Sequence, residues 1–486
     1  MSRINTNVSA LVAQHNLGRT NRELATSLER LSTGLAINRG ADNPAGLIIS
    51  ERLRNEISAV STAIDNIERA SNVLATTEAA LAEVSQLLTS IKGLTVEAAN
   101  TGAFSEEEIA ANQLQIDSAV ESITRISNTA SFGGLKVLNG SLDYILSGVD
   151  ETSLVDVDVH GANFGTASSI PVTVEVINSA ESATLFLSGN TAGSPGALLS
   201  SVTFEVQGTE GVQVFSFVSG TTLSAVAFAI NSVADATGVS ASMVSATDPT
   251  SGMVLQSSTL GSDAFVAVRK LADGDFFQTF DAQAGSAITR DAGEDVLALV
   301  NGSLALGDGT QLSLRSQTVN LEMTLSNAAA QSLATHEFSI SGGGANFQIG
   351  PNINSSQQIG FGIQSVAASH LGNRVVGFLS TIVSGGDNSL TNGNAQQAGR
   401  IIDASIDEIA ILRGRLGAFE RNTLDTASRS QQIALENLTA SESRIRDTDF
   451  AKETSALTRA QILQQAGTST LAIANSTNQS VLALLQ

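Results

Sequence analysis

From Asn43 onward the apolar side chains fall into one heptad row. Leu53, Val60, Ile67, Leu74, Leu81 and Leu88 recur every seventh residue, and Ile57, Ile64, Val84 and Ile91 follow members of that row by three or four positions. Asp42 and Asn43 are capping residues and Pro44 suits a first helical position, so the spacing predicts a helix from here to about Asn100, closed by Gly102. Fifty-odd residues rising 1.5 Å each span about 85 Å, far more than a globular domain needs. Upstream, Ile4, Val8, Leu11, Leu17, Leu24, Leu28, Leu31 and Leu35 give a first helix with one narrow apolar stripe. Downstream, Ser105 with Glu108 forms a capping box for a third helix marked by Ile109, Ile116, Val120 and Ile123, folding back antiparallel on the second.

After Phe132 the period changes to two. Asn139-Gly140 is a hairpin signal, Val202 to Val218 alternates like paired strands, Leu223 to Val233 reads as a short helix and Val239 to Leu255 as strand again, a β-α-β unit. Further strands run through Val296–Val300, Leu312–Leu314 and Val319–Leu325, with turns at Asn301-Gly302 and Asp308-Gly309. Helix returns from Gln396. There Ile402, Ile409 and Leu416 keep a heptad that Thr423, Ser430 and Asn437 continue with polar residues. A break at Arg446 to Asp449 offers Asp447 or Asp449 as cap of a last helix, with Glu453 in its first turn and a thin face of Leu463, Gly467, Leu471, Ala474, Asn478, Val481 and Leu485. Single stripes of this kind are marginal in water, so both chain ends are expected to be loosely ordered in the free subunit and to gain order with partners. The class is α+β: long terminal helices around a β-rich centre.

Composition narrows the chemistry. There is no Cys or Trp and one Tyr (Tyr144), so Ala, Val, Ile and Leu do the packing and no thiolate is available. Residues 1–40 hold five Arg against two Glu and residues 444–486 four basic against three acidic, a joint +4, so residues 41–443 carry −26 of the total −22. That excess argues against nucleic acid as a partner, and no segment is apolar for long enough to insert in a membrane. The four histidines, His15, His160, His336 and His370, show no ligand spacing; no metal, cofactor or catalytic residue is expected. Asp156 with Asp158, and Asp273 with Asp275, alternate like calcium ligands without the rest of the loop and read as solvated carboxylates.

At the termini the chain resembles a bacterial flagellin. The stretch Leu24 to Ser50, LATSLERLSTGLAINRGADNPAGLIIS, is similar to the family's N-terminal signature, and SRIRDTDFAKE, QILQQA and VLALL between Asn437 and Gln486 resemble its ending. FAINSVADATGVSA (Phe228 to Ala241) resembles a repeat of flagellins and hook-associated proteins, and GGGANFQIGPNINSSQQIGFGIQSVAASHLG an outer-tube hairpin. The resemblance implies inner-tube helices at 1–42 and 455–486, coiled-coil outer-tube layers at 43–170 and 340–454, and a protruding β-rich region at 171–339 with a hook IN-like repeat near 201–270. It implies a helical homopolymer for swimming motility, located outside the cell, exported without a cleaved signal, and met by an export apparatus and chaperone, a filament cap and hook–filament junction proteins. Inter-subunit packing is then expected at Ile4, Val8, Leu11, Leu24, Leu28, Leu31, Leu35, Leu463, Leu471, Ala474, Val481 and Leu485. Arg30, Arg39, Asp42, Arg444, Arg446, Asp447 and Asp449 fall at the junctions between tubes, as caps or as a registering ion-pair set. A receptor-reading patch of the family aligns with Thr89 to Val96. Here Ser90 stands for its Arg and Gly93 for an acidic residue, beside Lys92 and Leu94, a departure that argues against strong receptor activation. The alternatives are a hook–filament junction protein and a secreted enzyme or binding module on a flagellin stalk.

Overall fold

A computed structural model describes residues 6–165, 167–187, 196–245, 247, 251–273, 277–283, 285–316 and 318–483, the last seven of these and residue 273 by backbone alone. In chain order, α1 (Val8–Thr33), α2 (Pro44–Ala99) and α3 (Glu106–Thr129) precede a hairpin of β1 (Ser131–Phe132) and β2 (Leu135–Lys136). Then come β3 (Tyr144–Ser147), β4 (Leu154–Ala162), β5 (Ile170–Asn178), β6 (Thr184–Leu187), β7 (Val202–Gln207) and β8 (Val212–Phe217). Helices α4 (Leu223–Asn231) and α5 (Ala234–Thr237) lead to β9 (Val239–Met243), β10 (Met253–Ser257), β11 (Phe265–Asp273), β12 (Thr279–Phe280) and β13 (Arg290–Ala292). Strands β14 (Leu297–Val300), β15 (Ser303–Asp308), β16 (Gln311–Arg315) and β17 (Val319–Leu325) are followed by α6 (Asn327–Ala330) and β18 (Thr335–Gly343). After β19 (Ala345–Gln348), β20 (Gln358–Phe361), β21 (Gly372–Asn373) and β22 (Gly377–Phe378), helix resumes as α7 (Ala395–Phe419), α8 (Asp425–Arg446) and α9 (Phe450–Ala483). Terminal helices around a β-rich middle are the expected α+β arrangement.

Two compact units divide the chain: Met1–Arg69, Gln348–Ile353 and Arg421–Gln486 form one, Ala70–Phe347 and Asn354–Glu420 the other. In the second unit the heptad row of α2 is core, with Leu74, Leu81, Val84, Leu88 and Ile91 buried beside Ile402, Ile409 and Leu416 of α7. The two helices run antiparallel, tied by Lys92 to Asp403 at 2.5 Å, Arg413 to Glu78 at 2.8 Å and the Ser71 hydroxyl to Glu420 at 2.6 Å. The capping box of α3 forms as its spacing requires, and Asn112 donates to Glu97 across the reversal at 3.4 Å.

The C-terminal heptad does not continue through Thr423, Ser430 and Asn437; the last two are exposed. A π-turn at Glu420–Leu424 inserts one residue between α7 and α8, and the inward row resumes one position later at Leu424, Gln431, Leu438 and Ile445. Ser430 and Asn437 therefore lie on the solvent side of a rephased helix.

The middle holds two apolar cores. An eight-stranded sheet in the order β3-β18-β5-β14-β15-β16-β17-β4 buries alternate residues, such as Val172, Val174 and Val176 of β5 and Val319, Leu321, Met323 and Leu325 of β17. Because β4 and β17 pair, and β3 and β18, the sheet crosses the expected boundaries at 170 and 340. A second core lies between the sheets β13-β11-β7-β8 and β12-β6-β10-β9, with Val226 and Ile230 of α4 packed among Phe204, Leu185 and Met253. Every pair described in these sheets is antiparallel, so the segment read as β-α-β is two hairpins flanking a helix, and Val239 to Leu255 is two strands. The first hairpin turns at Gly133-Gly134; Asn139-Gly140 lies beyond it.

The start of α2 is sterically tight. Asn43 caps it by accepting from Gly46 N at 2.9 Å, and a Cβ on the buried Gly46 would sit 2.7 Å from Asn43 Nδ2 and from Ile37 Cδ1. Gly46→Ala is expected to lower stability by about 1–3 kcal/mol in urea unfolding, whereas Gly93→Ala, with open space around it, gains up to about 1 kcal/mol. Leu424→Ala is expected to cost about 2–5 kcal/mol and Thr423→Ala about 0.5 kcal/mol or less. Equal losses at 423 and 424 would contradict the rephased seam.

Candidate assembly surfaces

In the first unit α1 and α9 pack antiparallel. Asn7 Nδ2 donates to Ala474 O at 2.9 Å, Gln464 Nε2 to Asn21 Oδ1 at 3.0 Å, and Arg30 meets Glu453 at 3.7 Å. Facing rows on both helices step by seven: Ala13, Thr20 and Ser27 beside Leu17, Leu24 and Leu31 on α1, and Ala460, Gly467 and Ala474 beside Leu457, Gln464 and Leu471 on α9. The most deeply buried members are small, Ala13, Thr20, Ser27 and Ala460, and Gly467 lets Leu17 come close. Small residues bring the backbones together but bury little area per turn.

The larger side chains point elsewhere. Val8, Leu11 and Leu28 are 58%, 61% and 50% exposed, with Val12 beside them, and on α9 Phe450, Ile462, Leu463 and Ile473 are exposed too. Of the residues expected to pack between subunits, Leu24, Leu31, Leu35, Leu471 and Ala474 are half-buried within this chain, while Val8, Leu11, Leu28 and Leu463 are open. Leu463 lies beside the inward row, which runs through Ala460, Gln464 and Gly467. Leu457 and the row of Ala13, Thr20 and Ser27 went unread because a search for large apolar residues passes over small ones, although their sevenfold spacing is in plain view. Ile4 and Leu485 lie outside the described residues, as does the side chain of Val481.

The breaks flanking these helices meet. Gly34, at φ +75°, ends α1, and a short backbone ladder joins the two crossings: Ala36 N donates to Arg446 O at 2.7 Å and Thr448 N to Gly34 O at 2.9 Å. Arg39 grips Glu29 through Nε at 3.1 Å and Nη2 at 2.5 Å. Asp42 caps no helix; it accepts from Asn38 N and Arg39 N at 3.0 and 2.8 Å, and these donors hold its carboxyl below the usual range. Arg446 reaches Glu51 at 3.1 Å, Asp447 accepts from Ser443 at 2.6 Å, and Asp449 caps α9 through Ala451 N and Lys452 N. Arg444 is exposed. This set locks one chain's own turns.

In the second unit Ser90 and Gly93 are exposed on α2, Leu94 is half-buried, and Lys92 is held by Asp403. Of the histidines, His15 and His370 are exposed, His336 is half-buried and His160 is buried. Among the described residues no group of three His, Asp or Glu is placed to hold a metal, and no helix is long and apolar enough to cross a membrane. Asp275 and the side chain of Asp273 lie outside the described residues. Asp156 is exposed, as expected of a solvated carboxylate, whereas Asp158 is half-buried; both line a cavity between β4 and α7.

Comparison with known proteins bears on what these surfaces serve. A model of the bacterial flagellin N-terminal helical region matches residues 4–143, one of the flagellin C-terminal helical region matches 400–485, and the flagellin hook IN motif matches 201–259. Among curated relatives, the B-type flagellin of Pseudomonas aeruginosa is 29% identical over a 537-residue alignment and the flagellin of Salmonella rubislaw 28% over 507, each covering 99% of both chains. Polar flagellin B/D of Vibrio parahaemolyticus is 28% identical over 485, again with 99% of both chains covered. With relatives of one kind matching from end to end and the family's models falling on both helical termini, this chain belongs to the bacterial flagellin family.

Proposed function

We infer that this protein is a non-enzymatic structural subunit of the extracellular bacterial flagellar filament, and that exposed apolar residues of α1 and α9 are buried between copies of the chain. The observation that carries the packing proposal is the α1–α9 seam. Its intrachain contact uses small residues and leaves Val8, Leu11, Val12, Leu28, Ile462, Leu463 and Ile473 in water. A surface of this kind on both terminal helices suits repeated contact with identical neighbours, and a head-to-tail contact that does not close yields an open helical polymer.

The finer reading follows the family. Residues 1–42 and 455–486 form an inner layer of the filament, 43–170 and 340–454 a coiled-coil outer layer, and 171–339 the outward surface, with the eight-stranded sheet shared between the last two. The ladder between residues 34–36 and 446–448 lies near the end of the inner layer and supports a reading in which Arg39, Asp42, Asp447 and Asp449 hold the turn and Arg444 meets a neighbouring copy. Export proceeds through the flagellar secretion apparatus with a chaperone and without a cleaved signal, and assembly involves a filament cap and hook–filament junction proteins. The end-to-end relatives are flagellins, and neither the junction-protein reading nor that of a stalked enzyme is favoured by them.

Removal of residues 463–486 is expected to leave soluble monomer, with no filaments by electron microscopy after salt-induced assembly. Filaments of normal length would overturn the assignment. Leu11→Asp and Leu28→Asp are expected to block assembly while shifting monomer stability by no more than about 0.5 kcal/mol, as surface substitutions do.

A further inference from the structure

The face of β17 opposite its apolar row carries Glu322, and in register across the ladder stand Asp158 beside Glu322 and Asp156 beside Thr324. This face looks onto α7, which presents Glu408, Ile411, Leu412 and Arg415 at helical spacing to a cavity of about 530 Å³. Asp143, just before β3, adds another carboxyl, and the segment from Gln364 to Phe378 forms the remaining wall, with His370 and Arg374 exposed on it. Asp407 stands exposed on α7. Six carboxyl groups thus surround the space, against two guanidinium groups and two imidazoles.

Few of these charges are neutralised. Arg374 is drawn to Glu151 at 2.6 Å, and Arg415 lies 5.5 Å from the centre of the Phe361 ring with a buried Nη2 that has no hydrogen-bond partner among the described residues. His160 Nε2 approaches Glu322 at 3.3 Å, which keeps that carboxyl below its usual range. Three of the remaining carboxyls are held by neutral donors: Gly372 N to Glu408 at 3.0 Å, Tyr144 N to Asp143 at 2.7 Å, and the Gln364 amide to Asp158. Tyr144 turns its hydroxyl away, accepting from Ala162 N at 2.9 Å.

We propose that the seam between the β4–β17 face and α7 is a proton-operated latch, closed when its carboxyls share protons and loosened by their mutual repulsion when they ionise. The electrostatics agree. Burial, followed by the charge of Asp156, pushes Asp158 up to about 7; burial pushes Glu408 up to about 8 and raises Asp143 as well. Half-buried Arg415 keeps its charge at these pH values and opposes the rise at Asp158 and Asp143, but it is one guanidinium set against several carboxyls. A carboxyl whose folded pKa is raised stabilises fully below its unfolded pKa of about 4 and loses that contribution as pH climbs through the folded value. The window for Asp158 and Glu408 is therefore about pH 4 to 8, and above it the wall segment and the middle of α7 face an acidic surface that Arg415 offsets only in part. The latch belongs to the single subunit and does not depend on assembly.

Hydrogen exchange on the full chain, kept dilute and unassembled, tests this between pH 5.5 and 9 after correction for intrinsic rates. Peptides from 364–378 and 402–416 are expected to lose protection by roughly tenfold or more on crossing pH 7 to 8.5, while peptides from 202–206 and 319–325 stay level. In the Asp158→Asn, Glu408→Gln double variant, whose amide oxygens still accept from Gln364 and Gly372, the step is expected to vanish. Flat protection in the natural chain, or an unchanged step in the variant, overturns the proposal. Potentiometric titration of the natural chain provides a second reading: two protons released between pH 6 and 9 beyond those of the variant support it, and equal release refutes it.

Discussion

The arrangement of the terminal helices rests on how little area α1 and α9 bury against each other. Ala13, Thr20, Ser27, Ala460 and Gly467 bring the two backbones close, and closeness of this kind stabilises by dispersion contacts more than by apolar area removed from water. The leucines that would provide area are either at the flanks of the seam or outside it. A pair of helices built this way is in place but unfinished, which is what a self-assembling subunit requires: enough internal contact to set direction and register, and enough open apolar surface to make the neighbour worthwhile.

Register is then kept by backbone rather than by charge. The ladder linking residues 34–36 to 446–448 ties the end of α1 to the crossing between α8 and α9. Around it the ion pairs are mostly exposed, and exposed pairs contribute little to stability even where their geometry is good. Farther along, the π-turn at Glu420–Leu424 rotates the inward face by one residue, so α7 and α8 each keep a sevenfold row although the two rows are out of phase.

The eight-stranded sheet serves two purposes with its two faces. One face supplies the apolar core through Val319, Leu321, Met323 and Leu325; the other carries Asp158 and Glu322 toward α7. Strand alternation makes this division unavoidable, since each core residue is followed by one that must face the helix. Acidic residues on that second face are tolerated because the Gln364 amide donates to Asp158 and His160 approaches Glu322. Their placement makes this seam responsive to pH where the apolar cores are not.

Local signals in the chain were sufficient for the helices: heptad spacing placed α2, the Ser105 and Glu108 pair placed the start of α3, and Asp449 with Glu453 placed α9. Alternation likewise placed β7, β8 and β17, and the terminal motifs identified the family. These features depend on neighbours within a few residues, which the sequence states directly. Tertiary structure decided what distant neighbours determine. It joined strands 144–147 and 335–343 into one sheet across an expected boundary, split a presumed β-α-β unit between two sheets, moved the C-terminal seam from Thr423 to Leu424, and gathered Asp156, Asp158, Glu322 and Glu408 from three elements into one cavity. The pairing of β3 with β18 and of β4 with β17, and the convergence of charges on α7, are set by contacts between segments far apart in the chain, and no short-range pattern records them.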